Sequence, residues 1–155
     1  MAQNETVRGH LESAGFKLPD GPRALGDYVP AVRAGDLVFT SGQLPMRDGA
    51  LIATGIVGGD VEAALAKECA TQSGLNALAA ASTVCDLDDV VSVVKVTGYV
   101  ASAAGFIGQP GVVDGASAVM GFAFGEAGKH ARAAVGVAAL PLGSPVEIEV
   151  VLRLR

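Results

Sequence analysis

The sequence predicts an α+β fold in which one β-sheet carries two helices on one of its faces. Three observations predict it. Strand-like and helix-like runs follow in the order β-β-α-β-α-β-β. The run from Val61 to about Ala80 repeats its apolar residues near helical spacing. The run Val146–Leu154 alternates, with Val146, Ile148, Val150, Leu152 and Leu154 on one side and Glu147, Glu149, Arg153 and Arg155 with Val151 on the other. A strand with a single apolar side needs a second layer to cover it, and the helices supply that layer.

Taken in order, residues 5–25 hold a short amphipathic helix, Val7 to Ala14, and an irregular lead-in punctuated by Gly15, Pro19, Gly21 and Pro22. Ala31 to Thr40 reads as two short strands around Ala34-Gly35-Asp36. Ser41 to Pro45 leaves the sheet, and Arg47-Asp48-Gly49 forms another turn. Gly58-Gly59-Asp60 breaks the chain and offers Asp60 as the N-cap of the first long helix. Asp86 to Asp89 closes the connection to a β-branched strand, Val90 to Val100. After a loop from Gly105 to Gly111, Val113 to about Ala127 forms the second helix, weakened by Gly115 and Gly121. Ala133 to Ala139 is a strand of small residues. Leu140 to Pro145 turns the chain, which predicts a hairpin with the last strand.

At 155 residues the chain has the size of one domain, 1–155, without repeats, low-complexity tracts or linkers. Half of it is apolar and 17% is charged, a lean supply of surface charge that points to an oligomer. A monomer rich in alanine and glycine (21 Gly) is the other reading. The net charge of −5, eleven dispersed Lys and Arg, and the lack of Trp disfavour nucleic-acid binding. Neither a signal peptide nor a membrane span of ~18 apolar residues is visible, so a cytoplasmic location is expected. Cys69 and Cys85 read as small hydrophobes, and with only His10 and His130 besides, no metal-ligand spacing exists; no metal is expected.

Arg132, flanked by alanines, is suited to gripping a carboxylate bidentately, or else it pairs with Glu126 or another acid at the surface. Glu147 can serve as a general base in a cleft, or be a solvated strand residue. Tyr28 can lid a pocket or cover a core edge. Ser41-Gly42 can present a backbone N–H at close range. No His and acid stand beside Ser41 in sequence to make it a nucleophile, and His10 and His130 read as surface residues.

The segment Tyr28-Val29-Pro30-Ala31-Val32-Arg33-Ala34-Gly35-Asp36-Leu37-Val38-Phe39-Thr40-Ser41-Gly42-Gln43-Leu44-Pro45 resembles the opening signature of the reactive-intermediate deaminase family (RidA, also YjgF or endoribonuclease L-PSP-like). The run from Arg132 to Glu149 resembles its closing signature, and the resemblance covers about residues 26–155, leaving 1–25 as an N-terminal extension. It implies a chorismate-mutase-like fold, a homotrimer with clefts between subunits, and cofactor-independent hydrolysis of reactive enamines and imines such as 2-aminoacrylate to a 2-oxo acid and ammonia. Arg132 would then grip the substrate carboxylate. Glu147 would handle the attacking water and the departing nitrogen, and Tyr28, Ser41 and Gly42 would line the pocket. Two positions depart from the pattern. Ala134 replaces a frequent Cys, leaving only its backbone to serve, and Asp114 replaces a usual Asn and adds a carboxylate that would repel an anionic substrate. The branch is therefore divergent. A non-catalytic trimer that binds a small carboxylate is the alternative, and a ribonuclease the less favoured third reading.

The predicted hairpin has a geometric consequence. It would set Glu147 opposite Ala138, six residues or ~20 Å from Arg132, so the two groups would meet only across a subunit interface.

Overall fold

The computed structural model describes residues 6–23 and 26–155. The expectations for the extreme N-terminus and for the end of the irregular lead-in, residues 24–25, fall outside that range. Helix α1 (Val7–Ser13) begins where the Thr6 hydroxyl accepts a hydrogen bond from Gly9 N at 3.1 Å. It buries Leu11 completely and is tied to α3 (Gln109–Phe124) by His10 Nδ1 donating to the Ala123 carbonyl at 3.0 Å.

Strands β1 (Ala31–Ala34) and β2 (Leu37–Thr40) form the expected hairpin, its turn taken by Gly35 at φ 64°. A small second hairpin, β3 (Met46–Arg47) with β4 (Ala50–Leu51), turns through Asp48 and Gly49, both at positive φ. Helix α2 (Ala63–Ala81) is buried along most of its length. Its Asn76 amide donates to the carbonyls of Leu44 and Met46 at 2.9 and 3.0 Å and accepts from Gln72, which fastens residues 44–47 to the helix. Asp60 is not its cap: the Asp60 carboxylate accepts from Ile56 N at 3.3 Å, and the helix starts after Glu62 without a side-chain cap. The Gly55–Asp60 turn consumes that carboxylate locally.

The main sheet is mixed and has the order β1-β2-β7-β5-β6, with β5 (Val90–Ala101), β6 (Ala131–Val137) and β7 (Val146–Leu154). β7 lies antiparallel between β2 and β5, while β6 runs parallel to β5 at the sheet edge. The hairpin expected between β6 and β7 is therefore absent. Both edges of β7 are already taken, and α3 carries the chain from β5 to β6 in parallel, as a crossover requires.

Helices α2 and α3 cover one face of the sheet. There the inward residues of β7 (Val146, Ile148, Val150, Leu152, Leu154) are buried as the alternation predicts; each contributes about 1.5–3 kcal/mol by leaving water. Gly115 sits against Lys67 O and Thr71 of α2, while Val113 packs onto Gly98 of β5. Gly115, which weakens α3 as an isolated helix, is thus the residue that lets it approach α2, whereas Gly121 meets no neighbour within 4 Å. Among the described residues both cysteines are free thiols, and burial, ahead of nearby charges, pushes Cys69 up to about 11. No described helix is long and apolar enough to cross a membrane.

Candidate functional site

Two groups of the proposed site residues lie on opposite faces of the sheet. The first is built around the end of β2. Beyond Thr40 the chain rejoins β7 through a bridge in which Gln43 N donates to Ile148 O at 2.8 Å and Ile148 N donates to Gln43 O at 3.0 Å. The Thr40 hydroxyl accepts from Val150 N at 3.0 Å across the gap. This detour lays Gly42 directly over Glu147. A Cβ at Gly42 would fall on Glu147 Oε1 and come within 2.8 Å of Cδ, so any larger residue there would push the Glu147 carboxyl aside. Ser41 Oγ donates to Val29 O at 2.6 Å and Ser41 N to Pro30 O at 2.8 Å. Its hydroxyl holds the 28–30 segment in place, and Ser41 is not among the residues lining the cavity beside Tyr28 and Gly42.

Glu147 lies between buried Val146 and Ile148, so its side chain points to the face away from the helices, opposite Tyr99 in register. It is half-buried. Burial first, and repulsion from Glu149 second, raise its carboxyl above the ordinary range. Glu149 accepts a hydrogen bond from the Tyr99 hydroxyl at 3.0 Å, and burial ahead of these acids raises the Tyr99 phenol. Tyr28 and Gly42 line a cavity of about 250 Å³ with Pro30, Leu44, Met46 and Leu142.

The second group is built around Arg132, which is paired in register with Val96 on the helix-covered face. Its Nη1 donates to Asp114 Oδ1 at 2.6 Å and to Ser117 Oγ at 3.2 Å, both on α3. The acid expected as a surface partner is thus Asp114; Glu126 pairs with Lys129 instead. Ser117 Oγ lies 2.9 Å from His130 Nε2, and His130 Nδ1 lies 2.6 Å from the Gly128 carbonyl. Because a carbonyl only accepts, Nδ1 carries the proton, and in the neutral ring Nε2 accepts from Ser117. Ala134, paired with Gly98, packs against the core beneath this group. Ser117 was not singled out from sequence, and His130 was read only as a surface residue. Their signal was present: Ser117 follows Asp114 by three residues on α3, and His130 precedes Arg132 by two.

Arg132 and Glu147 are therefore separated by two strand spacings and three residues of register, and by the sheet itself, so one chain does not bring them to one small ligand. The sequence-based reasoning reached that conclusion through a hairpin that does not exist; the reason is that β5 stands between the two strands.

A mixed sheet with helices on one face, an open face bearing a shielded carboxyl, and an arginine at the edge strand define a chorismate-mutase-like α+β protein. A family profile described as "YjgF/chorismate_mutase-like, putative endoribonuclease" matches residues 8–153. The chain belongs to this family, and the match begins within the N-terminal segment. Protein TCP17 of Trypanosoma cruzi is 39% identical over 154 residues, covering 96% of this chain and 94% of that protein. The crystal structure of Atu1372 from Agrobacterium tumefaciens superposes with a TM-score of 0.88 at 40% identity, over 96% of this chain and 92% of that one. TdcF of E. coli, solved with bound serine, gives 0.63 at 25% identity, over 87% and 93%.

Proposed function

We propose that this protein is a cofactor-independent hydrolase of reactive enamines and imines of the 2-aminoacrylate type, working in the cytoplasm as a homotrimer whose clefts are completed by neighbouring copies. The observation that carries the reading is Glu147, a half-buried carboxyl held above its ordinary range on the open face and shielded by Gly42. Such a group is suited to deprotonate water near neutral pH and to give the proton back. The enamine tautomerises to an imine, and water adds to its carbon as Glu147 takes a proton. Glu147 returns that proton to nitrogen to give the neutral carbinolamine, then relays the hydroxyl proton to the same nitrogen, and ammonia leaves as the carbonyl of the 2-oxo acid forms. Arg132 of an adjacent copy grips the substrate carboxylate by its Nε–Nη2 edge, since its bonds to Asp114 and Ser117 among the described residues both use Nη1. Tyr28 and Gly42 line the pocket, Ser41 holds the segment that follows Tyr28, and Ala134 offers only its backbone.

Two observations support the shared site. Arg132 and Glu147 face opposite ways within one chain. The open face also exposes Val32, Phe39 and Val135, apolar residues that a neighbour would cover. A relative solved with serine supports a small amino-acid-like ligand.

The ion pair between Asp114 and Arg132 favours a second reading, a non-catalytic trimer that binds small carboxylates weakly. A ribonuclease is less favoured, because sixteen acidic residues outnumber eleven basic ones and polynucleotide affinity needs the reverse. Ammonia and 2-oxo acid release from freshly generated 2-aminoacrylate tests the proposal, with Arg132→Ala and Glu147→Gln as comparisons and light scattering for mass. Release above background that both variants lose is the expected result. Background release by the native protein removes the hydrolase reading, and a monomeric mass removes the shared site.

A further inference from the structure

Between α3 and β6 the chain makes a short 3-10 turn, Gly125–Gly128. Gly128 is buried, and a Cβ there would collide with the Met120 carbonyl of α3, so the turn is pressed onto the helix. That contact fixes where His130 stands. Its Nδ1 lies 2.6 Å from the Gly128 carbonyl and its Nε2 lies 2.9 Å from Ser117 Oγ. A hydroxyl, a neutral imidazole and a third group that orients the imidazole are thus joined end to end. Both Ser117 and His130 are half-buried, so neither is sealed from a small solute.

The order of donors has a chemical consequence. With the proton on Nδ1 held by the carbonyl, Nε2 is the basic nitrogen and accepts from the serine. Ser117 Oγ also accepts from Arg132 Nη1 at 3.2 Å. One bond donated and one accepted leave the oxygen a lone pair for attack. The guanidinium beside it stabilises the oxygen as its proton departs, since hydrogen bonds from a charged donor are the stronger kind. Arg132 Nη2 has no bond to a described residue and is left to face an acyl oxygen. Asp114 Oδ1, 2.6 Å from the same Nη1, repels acyl groups that carry a negative charge.

We propose that Ser117, His130 and Arg132 form a nucleophilic site that hydrolyses small uncharged carboxylic esters. Ser117 Oγ bonds to the acyl carbon while its proton passes to His130 Nε2 and the carbonyl electron pair moves to oxygen, against Arg132. The carbonyl re-forms, the carbon–oxygen bond to the alcohol breaks, and the alcohol leaves with the proton from His130. Water repeats the two steps on the acyl-serine and releases the carboxylic acid. Glu147 takes no part, so this activity stands or falls apart from imine hydrolysis.

The test uses the full chain with two probes. One is p-nitrophenyl acetate, followed by p-nitrophenol release and by peptide mass mapping after an acid quench. The other is phenylmethylsulfonyl fluoride, whose sulfonyl ester on serine is stable enough to map directly. Acetyl and sulfonyl groups on Ser117 are the expected result for the native protein. Release should fall by ~100-fold or more in Ser117→Ala and in His130→Gln, with circular dichroism spectra like the native one. His130→Gln should also lose the sulfonyl label. Modification confined to lysines or to other residues overturns the proposal, and because it is read on the native protein it does so whether or not a variant folds. Native release rates in either variant overturn it too. A sulfonyl label that survives His130→Gln removes His130 as the base and overturns it equally.

Discussion

Replacing Asp114 with Asn removes the negative charge beside Arg132 while keeping an oxygen that accepts the Nη1 hydrogen bond. A carboxylate bound to the opposite, Nε–Nη2 edge of the guanidinium would lie ~6 Å from Asp114. Two unit charges ~6 Å apart repel by about 0.7 kcal/mol at the dielectric of water and about 2.8 kcal/mol at an effective value near 20. The Arg132 side chain is 25% exposed and that of Asp114 is 55% exposed, which favours the lower part of that range, about 1 kcal/mol. Asp114→Asn should therefore bind pyruvate about fivefold more tightly than the native protein, measured by titration calorimetry at low ionic strength. The gain should shrink as salt is added, because part of the repulsion passes through water. An ion pair this exposed contributes under about 1 kcal/mol to folding, so the melting temperature should move little. Unchanged or weaker pyruvate binding would refute the assignment of Arg132 as the carboxylate grip.

Three further outcomes follow from the packing. The raised carboxyl of Glu147 means the folded chain holds that proton more tightly than the unfolded chain. The stability it lends is complete below the ordinary value of 4.5 and is lost as pH rises through the raised value. Glu147→Gln should then melt close to the native protein near ~pH 4 and above it near ~pH 7; an equal difference at both pH values would contradict the burial argument. Gly42→Ala should lose about 100-fold in imine hydrolysis with an unchanged circular dichroism spectrum, because the new methyl displaces the Glu147 carboxyl. A retained rate would mean that this carboxyl does not act. Gly98→Ala brings a Cβ within 2.7 Å of Val113 Cγ1 and should cost about 1–3 kcal/mol by denaturant unfolding. Adding Val113→Ala should return part of that loss, and strict additivity of the two would show that the clash is relieved elsewhere.

Local periodicity carried most of the fold. The alternation in β7 and the helical repeat from Val61 onward map onto observed elements because each records one buried side, and burial is what selects those residues. The strand order was not legible in the same way. Leu140 to Pro145 has the chemistry of a hairpin turn, yet β6 pairs with β5, since what decides the partner of β7 is the competition of β2 and β5 for its edges. Candidate site residues came from the two signature-like segments, as with Arg132, Glu147, Tyr28, Ser41 and Gly42. Asp114 was noticed as a departure, but its short contact with Arg132 depends on how closely α3 lies on the sheet. Leu142 escaped notice entirely, because positive φ at a leucine leaves no trace in composition or spacing.

The placement of β7 has a consequence for how the chain is made. It follows all of its sheet partners in sequence, yet it is the central strand, and β1–β2 share no ladder with β5–β6 except through it. During synthesis, therefore, the β1–β2 and β5–β6 ladders have no strand to join them until residues 146–154 leave the ribosome. Truncation before Val146 would not trim a margin; it would split the molecule down its middle.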